Sequence, residues 1–213
     1  ETAFWLESDR MLELAFSEQS LEVQRGVVME EFKQRCLNQP YGDVGHLIRS
    51  LAYEVHPYRW PTIGKDLSHI EQATLEEVKS FFYRFYAPNN AVLAVTGNIS
   101  WEEAVRLTEK WFGSIPRREV PQRNLPQEQE QTEERRLTVE RNVPLDSLFM
   151  AYHMCDHRHP DYYVFDILSD VLSNGRSSRL NQHLVQEKQL FSSIDAYISG
   201  SVDAGLFHIA GKP

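Results

Sequence analysis

A chain of 213 residues, 41% hydrophobic and 11% aromatic, can bury a substantial core and hold one large or two small domains. Its 22 basic and 31 acidic residues leave a net charge of -9, with no basic run to follow a phosphate backbone, which argues against a nucleic-acid partner. Two distant cysteines, Cys36 and Cys155, make neither a disulfide framework nor a Cys-x-x-Cys site; a single bridge between them stays open, and with it the compartment, periplasmic or cytoplasmic.

The chain opens at Glu1, without an initiator Met and already in helical periodicity at Phe4, Leu6, Met11 and Leu14. Ser20 to Arg35 predicts a long amphipathic helix, with Val23, Val27, Val28 and Phe32 on one side and Glu22, Arg25 and Lys33 on another. A second helix follows from about Val44 to Tyr53. The stretch His56 to Gly64 has two prolines and a glycine that break any regular pattern, and its aromatics predict a packed loop. Thr74 with Glu77 makes a capping box that opens a helix to about Tyr86, and Ser100 with Glu103 caps another. Between them Ala91 to Gly97 predicts a strand; its core, Ala91 to Val95, is the longest apolar run, far short of the roughly 20 residues that span a bilayer.

From Arg117 to Glu134 the pattern dissolves into prolines, glutamines and charges, and a linker is expected. Beyond it Leu137 to Arg141 and Ser147 to His153 predict strands, Pro160 to Leu172 a helix with Pro in its first turn, and Ser177 to Glu187 another helix. Ile194 to Ser199 and Gly205 to Ala210 predict two further strands. The last of these runs into Gly211-Lys212-Pro213 with no later segment to pair with it, so material is expected beyond both ends.

The strongest local signal is the run Gln24-Arg-Gly-Val-Val-Met-Glu-Glu-Phe-Lys-Gln-Arg35 followed by Asn38-Gln-Pro-Tyr-Gly42. With Trp5 to Met11 before it and His56-Pro-Tyr58 and Trp60 to Gly64 after it, this run closely resembles the insulinase and pitrilysin-like zinc peptidases, a family that includes the mitochondrial processing peptidase. Ala87 to Gly97, Trp111 to Pro116, Pro160 to Tyr163 and Ser177 to Leu180 continue the match in the family's order, so the resemblance covers nearly the whole chain.

The resemblance implies a zinc site of two histidines from a helical H-x-x-E-H motif and a glutamate from a later helix, the motif's own glutamate polarising water. Matched from Arg25 onward, the distant ligand falls on Glu31, an anionic oxygen suited to a three-ligand site with an open fourth position. Periodicity alone makes Glu30 and Glu31 a solvated acidic pair. Gln24 stands where many relatives carry a further glutamate, which implies a missing second carboxylate near the metal and lowered affinity. The histidine motif would precede Glu1, so the zinc belongs to the full-length parent and this chain alone is expected neither to hold it nor to hydrolyse peptides.

One run imitates the motif. His153-Met-Cys-Asp-His157 has the histidine spacing, but Asp156 is one methylene shorter than glutamate and the run lies between a strand and Pro160, not inside a helix. With Cys155 and His159 nearby, an adventitious metal site is the alternative; the family register makes this a variable loop.

Relatives that cleave peptides also use an arginine and a tyrosine seven residues apart to bind substrate and stabilise the oxyanion. The corresponding positions here are Val185 and Ser192, neither of which can do that work; Arg179 and Lys188 are neighbouring cations of the kind that normally lie on a solvated face. The resemblance therefore implies either a homologous partner subunit that supplies the pair or a non-catalytic relative. The expected architecture is α+β, with antiparallel-rich sheets and helices packed on them. Residues 1–116 would be the later part of one metallopeptidase-like half, 117–134 the linker, and 135–213 the start of a second, similar half. Two such halves close like a clamshell on a peptide bound partly as an added strand.

Overall fold

The computed structural model describes residues 1–213. In chain order its helices are α1 (Thr2–Leu12), α2 (Glu18–Phe32), α3 (Val44–Ala52), α4 (Leu67–Glu71), α5 (Leu75–Phe85), α6 (Trp101–Phe112) and α7 (Tyr162–Ser173); its strands are β1 (Leu148–His153), β2 (Ser193–Ser199) and β3 (Leu206–Lys212). Wide π-type turns follow α2 at Lys33–Leu37 and precede β2 at Asn181–Glu187. The chain divides into two units, one of Glu1–Glu31 with Asp66–Asn124 and one of Phe32–Lys65 with Leu125–Pro213. The α+β class expected from the sequence is the one observed.

The first unit is helical. Its α1 packs on α6, and Phe4 and Ser8 of α1 and Leu107 of α6 are buried. The capping box of α5 is complete: the Glu77 N–H donates to Thr74 Oγ1 at 3.3 Å, and the Thr74 N–H donates to the Glu77 carboxylate at 2.8 Å. At α6 only half forms. Ser100 Oγ accepts from the Glu103 N–H, but the Glu103 carboxylate turns to the Arg106 guanidinium at 2.7 Å. Phe82, with 2% exposure, is the centre of an aromatic group, edge-on to Phe16 at 5.3 Å and stacked on Tyr86 at 4.8 Å.

Two expected strands are absent. Residues 91–96 carry no ladder, and Val92 is 97% exposed; the β-branched sequence stretches the chain, but a strand needs a neighbour to take its N–H and C=O groups, and none lies beside it. Residues 137–141 are irregular for the same reason. The proline of the seventh helix also sits earlier than expected, because Asp161 is the N-cap and Pro160 precedes it.

The second unit is built on a three-stranded sheet of order β1-β3-β2, with both outer strands antiparallel to β3. Registers run from Leu148 opposite Gly211 to His153 opposite Leu206, and from Ser193 opposite Lys212 to Ser199 opposite Leu206. Because β1 and β2 are parallel to one another, α7 and the 181–187 turn carry the chain across, and β3 inserts between them as in a split β-α-β unit. Side chains alternate across the pleat. Leu206 packs with Ala52 and Tyr53 at the end of α3, while Phe207 packs with Met154 and Ala196 beneath Phe165 and Leu172 of α7, so each face of the sheet has its own helix. Ser173 fastens α7 to the edge strand, its hydroxyl accepting from Ala196 N–H at 2.8 Å and donating to Ala196 O at 3.0 Å.

Candidate functional site

Glu31 and Gln24 are seven residues apart, two turns of α2, and so share one face of that helix. Glu31 is half-buried whereas its neighbour Glu30 is exposed, so the two carboxylates are not equivalent members of a solvated pair. Arg25, in the same run, donates from Nη2 to Ala73 O at 2.7 Å and pairs with Glu22, which ties α2 to the turn ahead of α5. Rigid placement on a helix suits a metal ligand.

The segment Asn38 to Gly42 is explained by backbone geometry. Tyr41 takes a positive φ of 61°, and a Cβ on Gly42 would lie 2.7 Å from Arg35 O, so only glycine lets the chain fold back on the wide turn. The Tyr41 hydroxyl donates to Leu145 O at 2.6 Å.

His56-Pro-Tyr58 is likewise a packing device. His56 Nδ1 accepts from the Tyr58 N–H at 3.1 Å, the Tyr58 hydroxyl accepts from Ser201 Oγ at 2.6 Å, and the Tyr53 hydroxyl donates to Ala204 O at 3.0 Å, so three aromatic residues clamp the β2–β3 hairpin. Burial drives the Tyr53 hydroxyl pKa up to about 12. Glu128 closes the corner, its carboxylate accepting the N–H groups of Val55 at 2.7 Å and His56 at 2.5 Å. Sequence reasoning missed Glu128 because it lies in the glutamine-rich stretch, which carries no periodicity.

Residues 154–161 form a loop after β1. The His153 ring stands edge-on to Tyr53 at 5.4 Å, and His157 is turned to Ser201 O, 2.7 Å from its Nδ1. Neither Cys36 nor Cys155 is in a disulfide, and burial raises both thiol pKa values. No group of three His, Cys, Asp or Glu side chains is arranged to hold a metal ion. Glu31, the position that the resemblance matches to a ligand, belongs to no such group.

Val185 and Ser192 line one open depression together with Arg176, Ser177, Asn181, Gln182 and Gln186. Ser192 Oγ is engaged with Lys212 O and Pro213 O, each at 3.1 Å. Arg176 is the one cation in the wall; neither Arg179 nor Lys188 is part of it.

The chain thus combines a helical unit carrying α2 with a unit built on a split β-α-β sheet. Residues 72–212 match the peptidase M16 inactive domain, and this chain belongs to the M16, or insulinase, family. It is 30% identical over 210 residues to the zinc protease PqqE of Helicobacter pylori, covering 96% of this chain and 47% of that one. It is 26% identical over 216 residues to the probable mitochondrial-processing peptidase subunit beta of Schizosaccharomyces pombe, covering 95% and 46%. The crystal structure of a protease from Helicobacter pylori superposes with a TM-score of 0.88 at 30% identity, over 100% of this chain and 52% of that one. The chain thus spans about half the length of the relatives it matches.

Proposed function

We propose that the full-length protein is a zinc-dependent endopeptidase in which Glu31 is one metal ligand and a homologous subunit supplies the arginine and tyrosine missing at Val185 and Ser192. The observation that carries this reading is Glu31 itself, half-buried on α2 beside an exposed Glu30 and in the family's register. Zinc, when bound, supplies Lewis-acid activation of water near neutral pH. Glu31 would hold it through a carboxylate oxygen, with α2 fixing the direction of approach and Arg25 anchoring the helix. Residues 1–116 would form the later part of one half, 135–213 the start of the second, and 117–134 their connection, the two halves closing on a flexible peptide.

A second reading is a non-catalytic partner or structural subunit. It is favoured by Val185 and Ser192, which line the depression but offer neither a long cation nor a phenol to a developing oxyanion. Glu31→Gln in the full-length protein separates the two. Loss of a metal ligand costs several kcal/mol of transition-state stabilisation, and each ~1.4 kcal/mol is tenfold in rate, so cleavage of an unstructured fluorogenic peptide should fall by orders of magnitude. Unchanged cleavage would rule out the ligand assignment, and an H-x-x-E-H motif in the parent's preceding sequence would favour the peptidase.

A further inference from the structure

The sequence contains one Asn-Gly pair, Asn174-Gly175, directly after the end of α7. Both residues are exposed. Asn174 has left helical geometry, with φ -79° and ψ 107°, while its N–H still bonds to Asp170 O at 2.9 Å. Gly175 has φ +82°, its N–H donates to no acceptor, and nothing lies within 4 Å of the place where a Cβ would stand. An asparagine carboxamide carbon is electrophilic, and the nitrogen that can reach it in a five-membered ring is the next residue's amide. Glycine is the residue that obstructs this approach least, because it has no Cβ and ranges freely over φ and ψ.

We propose that Asn174 is a site of spontaneous deamidation. The Gly175 N–H loses its proton to hydroxide, and the nitrogen's electron pair forms a bond to Asn174 Cγ. The Cγ–Nδ2 bond breaks, and Nδ2, protonated by solvent, leaves as ammonia. Water then opens the cyclic imide at one of its two carbonyls to give aspartate or isoaspartate. The balance is one water consumed and one ammonia released, with nothing oxidised or reduced.

Other exposed asparagines set the comparison. Asn98 and Asn142 precede the β-branched Ile99 and Val143, whose N–H groups are bonded to Gly97 O and Arg141 O at 3.0 Å each. Their nucleophile is both shielded and occupied. At Asn174 the carboxamide itself is restrained by one hydrogen bond, Nδ2 donating to Asp170 Oδ1 at 3.0 Å, one turn back along the helix. Conversion replaces that hydrogen bond with a second carboxylate one turn from Asp170, at the negative end of the helix dipole. The affected turn is the one that Ser173 fastens to β2, and it leads into the wall of the depression that holds Arg176, Val185 and Ser192. Deamidation should therefore loosen the end of α7.

The test incubates the intact full-length protein at mildly alkaline pH and maps its peptides for aspartate and isoaspartate. Asn174 should convert about tenfold faster than Asn98 or Asn142, since only its neighbour lacks a Cβ. Asp170→Ala should accelerate conversion at Asn174 alone. Gly175→Ala should slow it, and because a side chain at φ +82° is strained, Asn174→Gln provides a second variant that keeps the amide and should remove the modified peptide. Conversion at Asn174 no faster than at Asn98 and Asn142 would overturn the proposal, as would modified peptide persisting in Asn174→Gln.

Discussion

Glu128 shows how one carboxylate can hold a segment that has no secondary structure. Burial works to raise its pKa, but the backbone N–H groups of His56, Val55 and Glu54, with the nearby His153, bring it below the ordinary value of 4.5. The unfolded chain therefore takes up this proton first, so the contribution is complete above pH 4.5 and is lost as pH falls through the lower folded value. Glu128→Ala should cost about 1–3 kcal/mol near neutrality, the penalty of an unmet N–H at the partly buried corner. Urea unfolding would detect it; an unchanged midpoint would make the carboxylate a bystander. His208 acts in a higher window. Burial, then the Arg49 charge, depresses its pKa from 6.5 to about 4, and its ring stacks on Tyr197 at 4.8 Å. Below pH 6.5 the unfolded state binds a proton that the fold excludes, so stability should decline from pH 6.5 toward about 4. In His208→Phe that slope should flatten, measured as unfolding free energy against pH; an identical slope would assign it to other groups.

The elements differ in how completely their ends are satisfied. At α5 Thr74 and Glu77 exchange hydrogen bonds, so Thr74→Ala should destabilise by about 1 kcal/mol in thermal or urea unfolding. At α6 the cap is Ser100 alone. Ser100→Ala should cost a similar amount, whereas Glu103→Ala, which breaks an exposed pair with Arg106, should change stability by no more than about 1 kcal/mol. Equal losses from Glu77→Ala and Glu103→Ala would contradict this difference between the two helix starts. The 181–187 turn behaves otherwise. It winds wider than an α-helix and contributes Asn181, Gln182, Val185 and Gln186 to the depression, and no propensity in Asn181 to Glu187 announces that winding.

For the whole molecule, the proposal of a two-subunit active site makes a quantitative demand. If a homologous partner brings the arginine and tyrosine, peptide cleavage by the purified full-length protein should rise on titration with that subunit by about 100-fold or more, the worth of an oxyanion donor. Full activity of the isolated protein would remove the partner from the proposal while leaving Glu31 in place.

What the amino-acid order determined is what depends on neighbours along the chain. Helix starts at Thr74 and Ser100 were legible because capping is a three-residue affair, and β1, β2 and β3 because their apolar runs are short and bounded by turn formers. The motif around Glu31 was legible as a resemblance, and periodicity by itself would have called it surface. The tertiary structure decided the rest. Residues 91–97 and 137–141 have the composition of strands but no neighbouring backbone to complete a ladder, and pairing is a property of two segments, not one. It also decided that Glu31 is half-buried and Glu30 exposed, and that Glu128 holds the corner at His56. Burial and long-range hydrogen bonds are set by which distant segments meet, and no local pattern in the sequence encodes that meeting.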